Sequence, residues 1–290
     1  MTLFHIVEKL DMKDHPVVVI VRQALIDILG NHNQVDDLEE LPNDNTFEKI
    51  FIIAIGGDGT MLHAMNLASS IAGNRGIGVT EYAPAVFGFN LGKVGFLAGV
   101  NLKQCGENHH AIYDCVNSFL RDIFLEKAKY EKRSPLLAVD TTTGEMFTAF
   151  NEILITPSST LEYLTYEFTV DGVGSGFHSA NGLLISTPTG STAYSHSVGG
   201  ALVFLTANIL QISPVAPMSR FSRSVIVPDS AKIGVKIKHH PSKNASGYQL
   251  VADGQPKMFS ATGFENFDFL QTSKGQFTSF TRVVGISLKF

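Results

Sequence analysis

The sequence predicts an α/β first third followed by a β-rich remainder, and three observations predict it. A short apolar run, FIIAI at 51–55, enters a glycine turn and then a stretch of helix formers, which is half of a βαβ unit. AVFGFN at 85–90 reads as the next buried strand. Beyond about residue 130 the helical periodicity gives way to short runs with turn residues between them, so the boundary falls near 101–130.

Taken in order, the first fifty residues are the least legible. HPVVVIVRQALIDILG (15–30) suits a strand entering a helix as well as a helix throughout, and NDNT (43–46) is turn chemistry. FIIAI is the strand before Gly56–Gly57–Asp58–Gly59–Thr60, and MLHAMNLASSIA is the helix after it. AVFGFN runs into NLGKVGFLAGV. Ile112, Cys115, Val116, Phe119, Leu120 and Ile123 form a helical stripe. LLAVD, the turn TTTG and MFTAFNEILI form a predicted hairpin, and LEYLTYEFTVDG is a further strand. LLIS (183–186), SVIV (224–227), KIGVKIK (232–238) and YQLVADGQPKMF (248–259) are strands, the last broken by an Asp253–Gly254 turn. One helix is expected after Ser191. No internal repeat or low-complexity tract is present.

The chain has 290 residues, 44% hydrophobic and 17% charged, enough for one large domain or two ordinary ones. Its net charge of −5 gives no global attraction to nucleic acid or anionic membrane. VVVIV (17–21) is far too short to span a bilayer, and residues 1–15 lack the apolar segment of a signal peptide. Cys105 and Cys115 form no metal or redox spacing and are expected as unpaired thiols in a reducing compartment. A cytoplasmic protein is the expectation.

The loop GGDGT raises the chemical question. Amides at a glycine turn and helix start form an anion site, yet a carboxylate there repels phosphate. Asp58 or Thr60 caps the helix in one reading. In the other, Asp58 takes the proton from a hydroxyl that attacks a phosphate, or helps hold a divalent cation. Walker spacing is absent around Gly92–Lys93, and GVGSGF (172–177) is not GxGxxG; it reads as a hairpin connection. ISTPTGSTAYSHSVGG (185–200) brings six hydroxyls, Thr187, Thr189, Ser191, Thr192, Ser195 and Ser197, into eleven residues. They read either as a polar loop with a helix cap or as a ligand loop in which Tyr194 offers a ring to a base. Two such loops from different domains suggest a cleft between them.

Together, GGDGT (56–60) and TPTGSTAY (187–194) resemble the signatures of the NAD kinase family. FGFNLGKVGFL (87–97), Asn151–Glu152 and Asp253–Gly254–Gln255 follow in that family's order, and the resemblance spans about residues 48–260. It implies phosphorylation of the adenosine-ribose 2′-hydroxyl of NAD to give NADP, with ATP and Mg²⁺ as the donor pair. It also implies an α/β Rossmann-like N-terminal domain (1–110 with 265–290 returning to it) plus a β-rich, β-sandwich-like C-terminal domain (111–264). SFTRVVGISLKF (279–290) is the expected return. Homodimers or homotetramers are implied, with the NAD site completed by a neighbouring subunit.

Residue by residue, the resemblance makes Asp58 the base that deprotonates the 2′-hydroxyl, with Gly59 beside it. It puts His63 at a basic position one helical turn on and Phe96 at an aromatic near the dinucleotide. Asn151 and Glu152 match the pair that binds ribose hydroxyls, and a vicinal diol offers two donors to such a pair. Thr192, Ala193 and Tyr194 match the segment around the adenine, with Ser197 a turn further. Ala216 matches a small residue lining the site and Gln255 a polar contact. Two positions depart from the family. Asn181 stands where Asp is common, and Ser179 where arginine is common in bacterial members, which leaves the choice between NAD and NADH open. An obvious family-like first strand is also lacking.

Other candidates read as peripheral. His109–His110 and His239–His240 are solvated loop histidines. His178 and His196 either touch the ligand's edge or stand apart from it. Lys93 is a phosphate contact or a surface lysine, and Arg220 and Arg223 form structural or interface ion pairs. A lipid kinase with the same GGDGT loop needs a membrane-facing surface, and none is apparent. A non-catalytic NAD(H)-binding regulator is opposed by Asp58, Asn151 and Glu152.

Overall fold

The computed structural model describes residues 2–8, 14–29, 49–74, 84–92, 95–106, 108–125, 127–141, 144–159, 162–219, 222–238, 247–259, 264–271 and 280–284. The chain divides into two compact units. The first holds Met1–Arg133 and Gly275–Phe290, the second Ser134–Lys274.

In the first unit, β1 (Thr2–Glu8), β2 (Lys49–Gly56) and β3 (Ala85–Asn90) lie parallel and adjacent, with Ile6 opposite Ile53 and Ile53 opposite Phe87. TLFHIVE thus supplies the first strand that the sequence reading lacked. The ambiguous segment that starts at His15 is one helix, α1 (Pro16–Leu29), with no strand between His15 and Leu29. Proline suits the first helical position, where no amide partner is needed. Burial overrides the modest helix propensity of the valines, because Val17, Val18, Ile20, Val21, Ala24 and Leu25 are all in the core. Helix α2 (Asp58–Asn74) follows β2 directly.

The two-residue strand β4 (Val100–Asn101) pairs with the end of β3 and leads into α3 (Leu102–Cys105) and α4 (His109–Phe124). The apolar stripe of α4 is buried through Val116, Phe119, Leu120 and Ile123. Phe119 meets Phe87 and Phe89 edge-on, at 6.0 and 5.6 Å between ring centres. Cys105 and Cys115 are joined in a disulfide across the α3–α4 turn, with Cα atoms 5.8 Å apart. The unpaired thiols expected from sequence are therefore corrected: the turn at Gly106 folds the end of α3 back beside α4. His109 and His110 are exposed as expected but begin α4 rather than sit in a loop, and His110 approaches Asp114 at 3.3 Å. Strand β5 (Lys129–Arg133) ends the unit's first segment.

The second unit is one 11-stranded sheet. Its hairpin β6 (Leu136–Asp140) and β7 (Met146–Ala149) matches the predicted one. Then come β8 (Glu152–Pro157), β9 (Leu164–Val170), β10 (Val173–Ser186), β11 (Ile209–Pro217), β12 (Val225–Pro228), β13 (Ile233–Lys238), β14 (Tyr248–Ala252), β15 (Gln255–Phe259) and β16 (Phe264–Gln271). Alternation is clean on β13, where Ile233, Val235 and Ile237 are buried while Lys236 and Lys238 are exposed. These side chains share one core with Ile153, Ile155, Tyr166, Leu183, Ile185 and Leu250. The two ends of the sheet come together, because Lys257 of β15 pairs with Glu145 and lies 5.5 Å from the Phe147 ring centre of β7. GVGSGF is not itself the hairpin connection. The turn is Asp171–Gly172, both at positive φ, and the glycines that follow form an irregularity within β10. The helix expected after Ser191 is the single-turn α5 (Tyr194–Ser197), preceded by a 3₁₀ turn (Thr189–Thr192).

Strand β17 (Phe280–Val284) belongs to the first sheet, parallel to β3 and antiparallel to β5. The division expected at 110/111 lies at 133/134, because α4 carries its stripe onto α1 and the first sheet, and β5 pairs with β17. The return expected from residue 265 begins at 275, since β16 stays in the second sheet between β13 and β6. NDNT, Lys93, Arg220, His239–His240 and residues 285–290 lie outside the described residues.

Candidate active site

In the first unit, the candidate chemistry lies at the end of β2. Leu91 N–H donates to Gly56 O at 3.1 Å, which ties the end of β2 to the loop after β3. Asp58 is the first residue of α2, yet its carboxylate does not cap that helix. Phe96 N–H donates to Oδ2 at 2.9 Å and Leu97 N–H to Oδ1 at 3.1 Å. Both oxygens are thereby oriented, each keeps a lone-pair direction, and the side chain is half-buried rather than sealed. The reading of Asp58 as the helix cap fails on this geometry.

Asn90, buried at the end of β3, braces the same loop by accepting from Gly92 N–H at 2.7 Å. Gly95 passes close to both groups: a Cβ there would lie 2.9 Å from Asn90 Cγ and 3.2 Å from Asp58 Oδ1. The sequence reading placed Phe96 here as an aromatic. Its ring is 55% exposed and its backbone does the bonding. Gly59 and His63 are exposed on the first turns of α2. Arg133, which sequence reasoning missed, is buried with its guanidinium 2.8 Å from Glu131. Burial depresses its affinity for its proton, and the negative charges of Glu131 and then Asp58 oppose that.

The second unit centres on Asn151–Glu152, where the chain passes from β7 into β8. Asp253 holds this dipeptide from one side. Its Oδ2 accepts from Phe150 N–H at 2.7 Å and its Oδ1 from Asn151 N–H at 2.8 Å, with Glu152 N–H further off at 3.4 Å. The TPTG turn holds it from the other. Thr187 N–H donates to Asn151 O at 2.9 Å, and Thr187 Oγ1 donates to Phe150 O at 2.6 Å. Gly190 packs so tightly on Asn151 that an added Cβ would fall 2.9 Å from its Cα and nearer still to its carbonyl.

Glu152 receives the Tyr194 N–H, but its Oε2 is buried with no hydrogen-bond partner in the protein. Its proton affinity is pushed up to about 7, chiefly by burial and then by the charge of Asp253, against the Tyr194 hydrogen bond. An orphaned carboxylate oxygen beside an amide side chain is a fit for the donor hydroxyls of a sugar.

The hydroxyl-rich loop divides in a way its composition did not reveal. Thr187, Thr189, Ser191 and Ser195 are buried. Ser191 Oγ donates to Pro188 O at 2.8 Å and accepts from Val203 N–H at 3.1 Å, and Ser195 Oγ accepts from Gln211, which also takes the Ala201 N–H at 2.9 Å. These hydroxyls shape the loop. Thr192 and Ser197 are exposed, as is Tyr194. His196 is exposed, and His178 is stacked between Tyr166 and Phe168 at 5.8 and 5.6 Å.

The remaining positions fall elsewhere in the second unit. Ser186 lies opposite Glu152, so Asn181 is five residues further along β10, at about 3.3 Å per residue. Ser179 and Asn181 instead lie by Ala216, which sits at φ +43 on β11 across from Asn181, between the pairs Gly182↔Val215 and Ala180↔Pro217. Gln255 is exposed and opens β15 just after the Asp253–Gly254 turn. Arg223 is described and bonds Ser222 O at 3.1 Å. Among the described residues no group of three His, Cys, Asp or Glu is placed to hold a metal ion, and no helix is long and apolar enough to cross a membrane.

A family model for the ATP-NAD kinase C-terminal domain matches residues 150–266. The NAD kinase of Flavobacterium psychrophilum is 30% identical over 227 residues, covering 76% of this chain and 69% of its own. That of Thermotoga neapolitana is 30% identical over 208 residues, covering 72% and 71%. Among solved structures, yeast NADH kinase complexed with NADH superposes with a TM-score of 0.76 at 20% identity, over 99% of this chain and 84% of that one. An NAD kinase from Archaeoglobus fulgidus in complex with ATP gives 0.69 at 20% identity, over 96% and 93%. The structural likenesses show a shared fold. The sequence relatives, at 30% identity over more than two thirds of their length, establish that the chain belongs to the NAD kinase family.

Proposed function

We propose that this chain is an NAD kinase, transferring the terminal phosphoryl group of ATP to the adenosine-ribose 2′-hydroxyl of NAD. The observation that carries the reading is the Asp58 carboxylate, half-exposed at a glycine turn and aimed by two loop amides. In the step, the 2′-oxygen forms a bond to the γ-phosphorus, the bond to the β,γ-bridging oxygen breaks, and the hydroxyl proton passes to Asp58. ADP leaves and NADP remains. Asn151 and Glu152 accept hydrogen bonds from ribose hydroxyls, and Thr192, Ala193, Tyr194 and Ser197 flank the adenine. His63 contacts phosphate, while Gly59, Phe96 and Gln255 line the dinucleotide's path. Catalysis is positioning plus charge placement, as for phosphoryl transfer generally.

A divalent cation, Mg²⁺ first, would be carried mainly by the phosphates of ATP and would neutralise their charge, with Asp58 the carboxylate at the GGDGT turn that would face it. Ser179 and Asn181, further along β10 from the Glu152 position, and Ala216 beside them on β11 serve the site of a second copy in a homodimer or homotetramer. The proposed location is the cytoplasm.

The test is NADP formation by purified protein from NAD, ATP and Mg²⁺, with NADH and polyphosphate in parallel arms. Stoichiometric NADP and ADP is the expected result. No NADP and no NADPH in any arm overturns the reading.

A further inference from the structure

Three successive backbone amides, those of Phe150, Asn151 and Glu152, leave β7 and enter β8 at a point where the first two have their acceptor outside the sheet ladder. A buried N–H without an acceptor is costly, so the local fold needs a group that takes them together. Asp253 is that group. It also donates its own N–H to Glu152 O at 3.1 Å, so the two segments exchange bonds in both directions.

The turn that carries Asp253 does not itself require a carboxylate. With φ +47 at Asp253 and +81 at Gly254, it is a two-residue hairpin turn that Asn-Gly or Gly-Gly makes equally well. The acidic side chain is explained by what it holds. Charge-assisted bonds to the first two amides, at 2.7 and 2.8 Å, are short and directional. On the far face, the Asn151 carbonyl is pinned by Thr187 N–H and by the close approach of Gly190. The dipeptide's backbone is therefore fixed on both sides, and its side chains have little freedom of aim.

We infer that Asp253 is a positioning residue for nucleotide binding: by collecting the amides of residues 150–152 it sets the direction in which Asn151 and Glu152 meet the ribose, and it holds a second negative charge beside Glu152. The inference rests on the NAD kinase reading. Asp253 touches no reacting atom; it acts through the dipeptide. The groups acting on Glu152 among the described residues are Asp253 from the β14–β15 turn and the Tyr194 N–H from α5, with Ser186 its backbone partner on β10.

The test uses full-length wild type, Asp253→Asn, Glu152→Gln and the double variant. Asparagine tolerates the left-handed backbone, so the turn survives, but one accepting oxygen becomes a donor and the charge is lost. NAD affinity by calorimetry from about pH 5.5 to about 8.5, and steady-state kinetics, are the readouts. Asp253→Asn is expected to raise Kd and KM for NAD about tenfold, while KM for ATP and kcat at saturating NAD stay within about twofold. The pH midpoint of NAD binding is expected to move down, because Glu152 has lost its like-charged neighbour; in the Glu152→Gln background that midpoint is absent and only the geometric loss remains. A merely structural residue would not move the midpoint.

Unchanged NAD affinity with an unchanged midpoint, in an active protein, overturns the inference and leaves the kinase reading standing. A wild type that makes no NADP removes the kinase reading itself. If Asp253→Asn does not fold, amide hydrogen exchange in the wild type decides: slow exchange at residues 150 and 151 supports the role, and fast exchange there overturns it.

Discussion

Replacing Glu152 by glutamine should make the protein more stable at alkaline pH while weakening, without abolishing, its affinity for NAD. The carboxylate is mostly buried, one oxygen has no partner, and Asp253 stands beside it, so its proton affinity rises from 4.5 to about 7. The sign follows from linkage. A carboxyl that binds its proton more tightly when folded adds stability fully present below about pH 4.5, and that stability is lost as pH rises through about 7. A gap of about 2.5 units at about 1.36 kcal/mol each sets the full effect at about 3 kcal/mol. Glutamine carries no charge at any pH and keeps an oxygen for the Tyr194 N–H. Ligand-free Glu152→Gln should therefore exceed wild type by about 2–3 kcal/mol at about pH 8.5 and match it near about pH 4.5. Denaturant midpoints at both pH values, with the slopes compared, measure this. A difference that does not depend on pH, or a variant less stable at high pH, would refute the burial argument. The paired fall in NAD affinity distinguishes a group held under strain for a ligand from one held for the fold.

Other outcomes follow from the same geometry. Asp58→Asn should lower kcat at least ~10²-fold with NAD binding by calorimetry largely retained, and near-normal turnover would remove its role as base. Gly190→Ala should destabilise the second unit by about 1–3 kcal/mol, read as a fall in Tm, because the new methyl has only the Asn151 backbone to enter; an unchanged Tm would contradict the packing. Reducing the Cys105–Cys115 disulfide, which closes a loop of sequence separation 10, should cost about 2–3 kcal/mol in denaturant titrations run with and without dithiothreitol. No difference between the two titrations would show that the bridge does not constrain the unfolded chain.

The parts of the fold that were legible are those where one local rule decides. FIIAI and AVFGFN are continuous apolar runs next to turn residues, and they are β2 and β3. Asp253–Gly254 is a hairpin turn in sequence and in structure. TLFHIVE was missed because it is short and mixed, and its strand character comes from pairing with β2. The helix at Pro16–Leu29 was ambiguous because β-branched residues dominate it, and only burial against the first sheet settles the matter. The disulfide was illegible because the spacing of Cys105 and Cys115 says nothing until α3 folds back on α4.

The candidate site shows a deeper limit of sequence reading. Composition groups the hydroxyls of 187–197 together, but the fold sorts them by direction, turning Thr187, Ser191 and Ser195 inward and Thr192 and Ser197 outward. Direction is set by bonds to Phe150, Val203 and Gln211, residues that carry no motif of their own. The same holds for the three acidic residues. Asp58, Glu152 and Asp253 are alike in chemistry, yet each is given a different task by the amides around it. Two amides aim Asp58, two close ones are consumed by Asp253, and Glu152 keeps an oxygen with none. A carboxylate whose oxygens are engaged by backbone amides serves the fold or is aimed by it; one left with a buried, unpaired oxygen is held for a ligand, because nothing else in the protein compensates its desolvation. That contrast is the physical ground for proposing Glu152 as a substrate contact and Asp253 as its support.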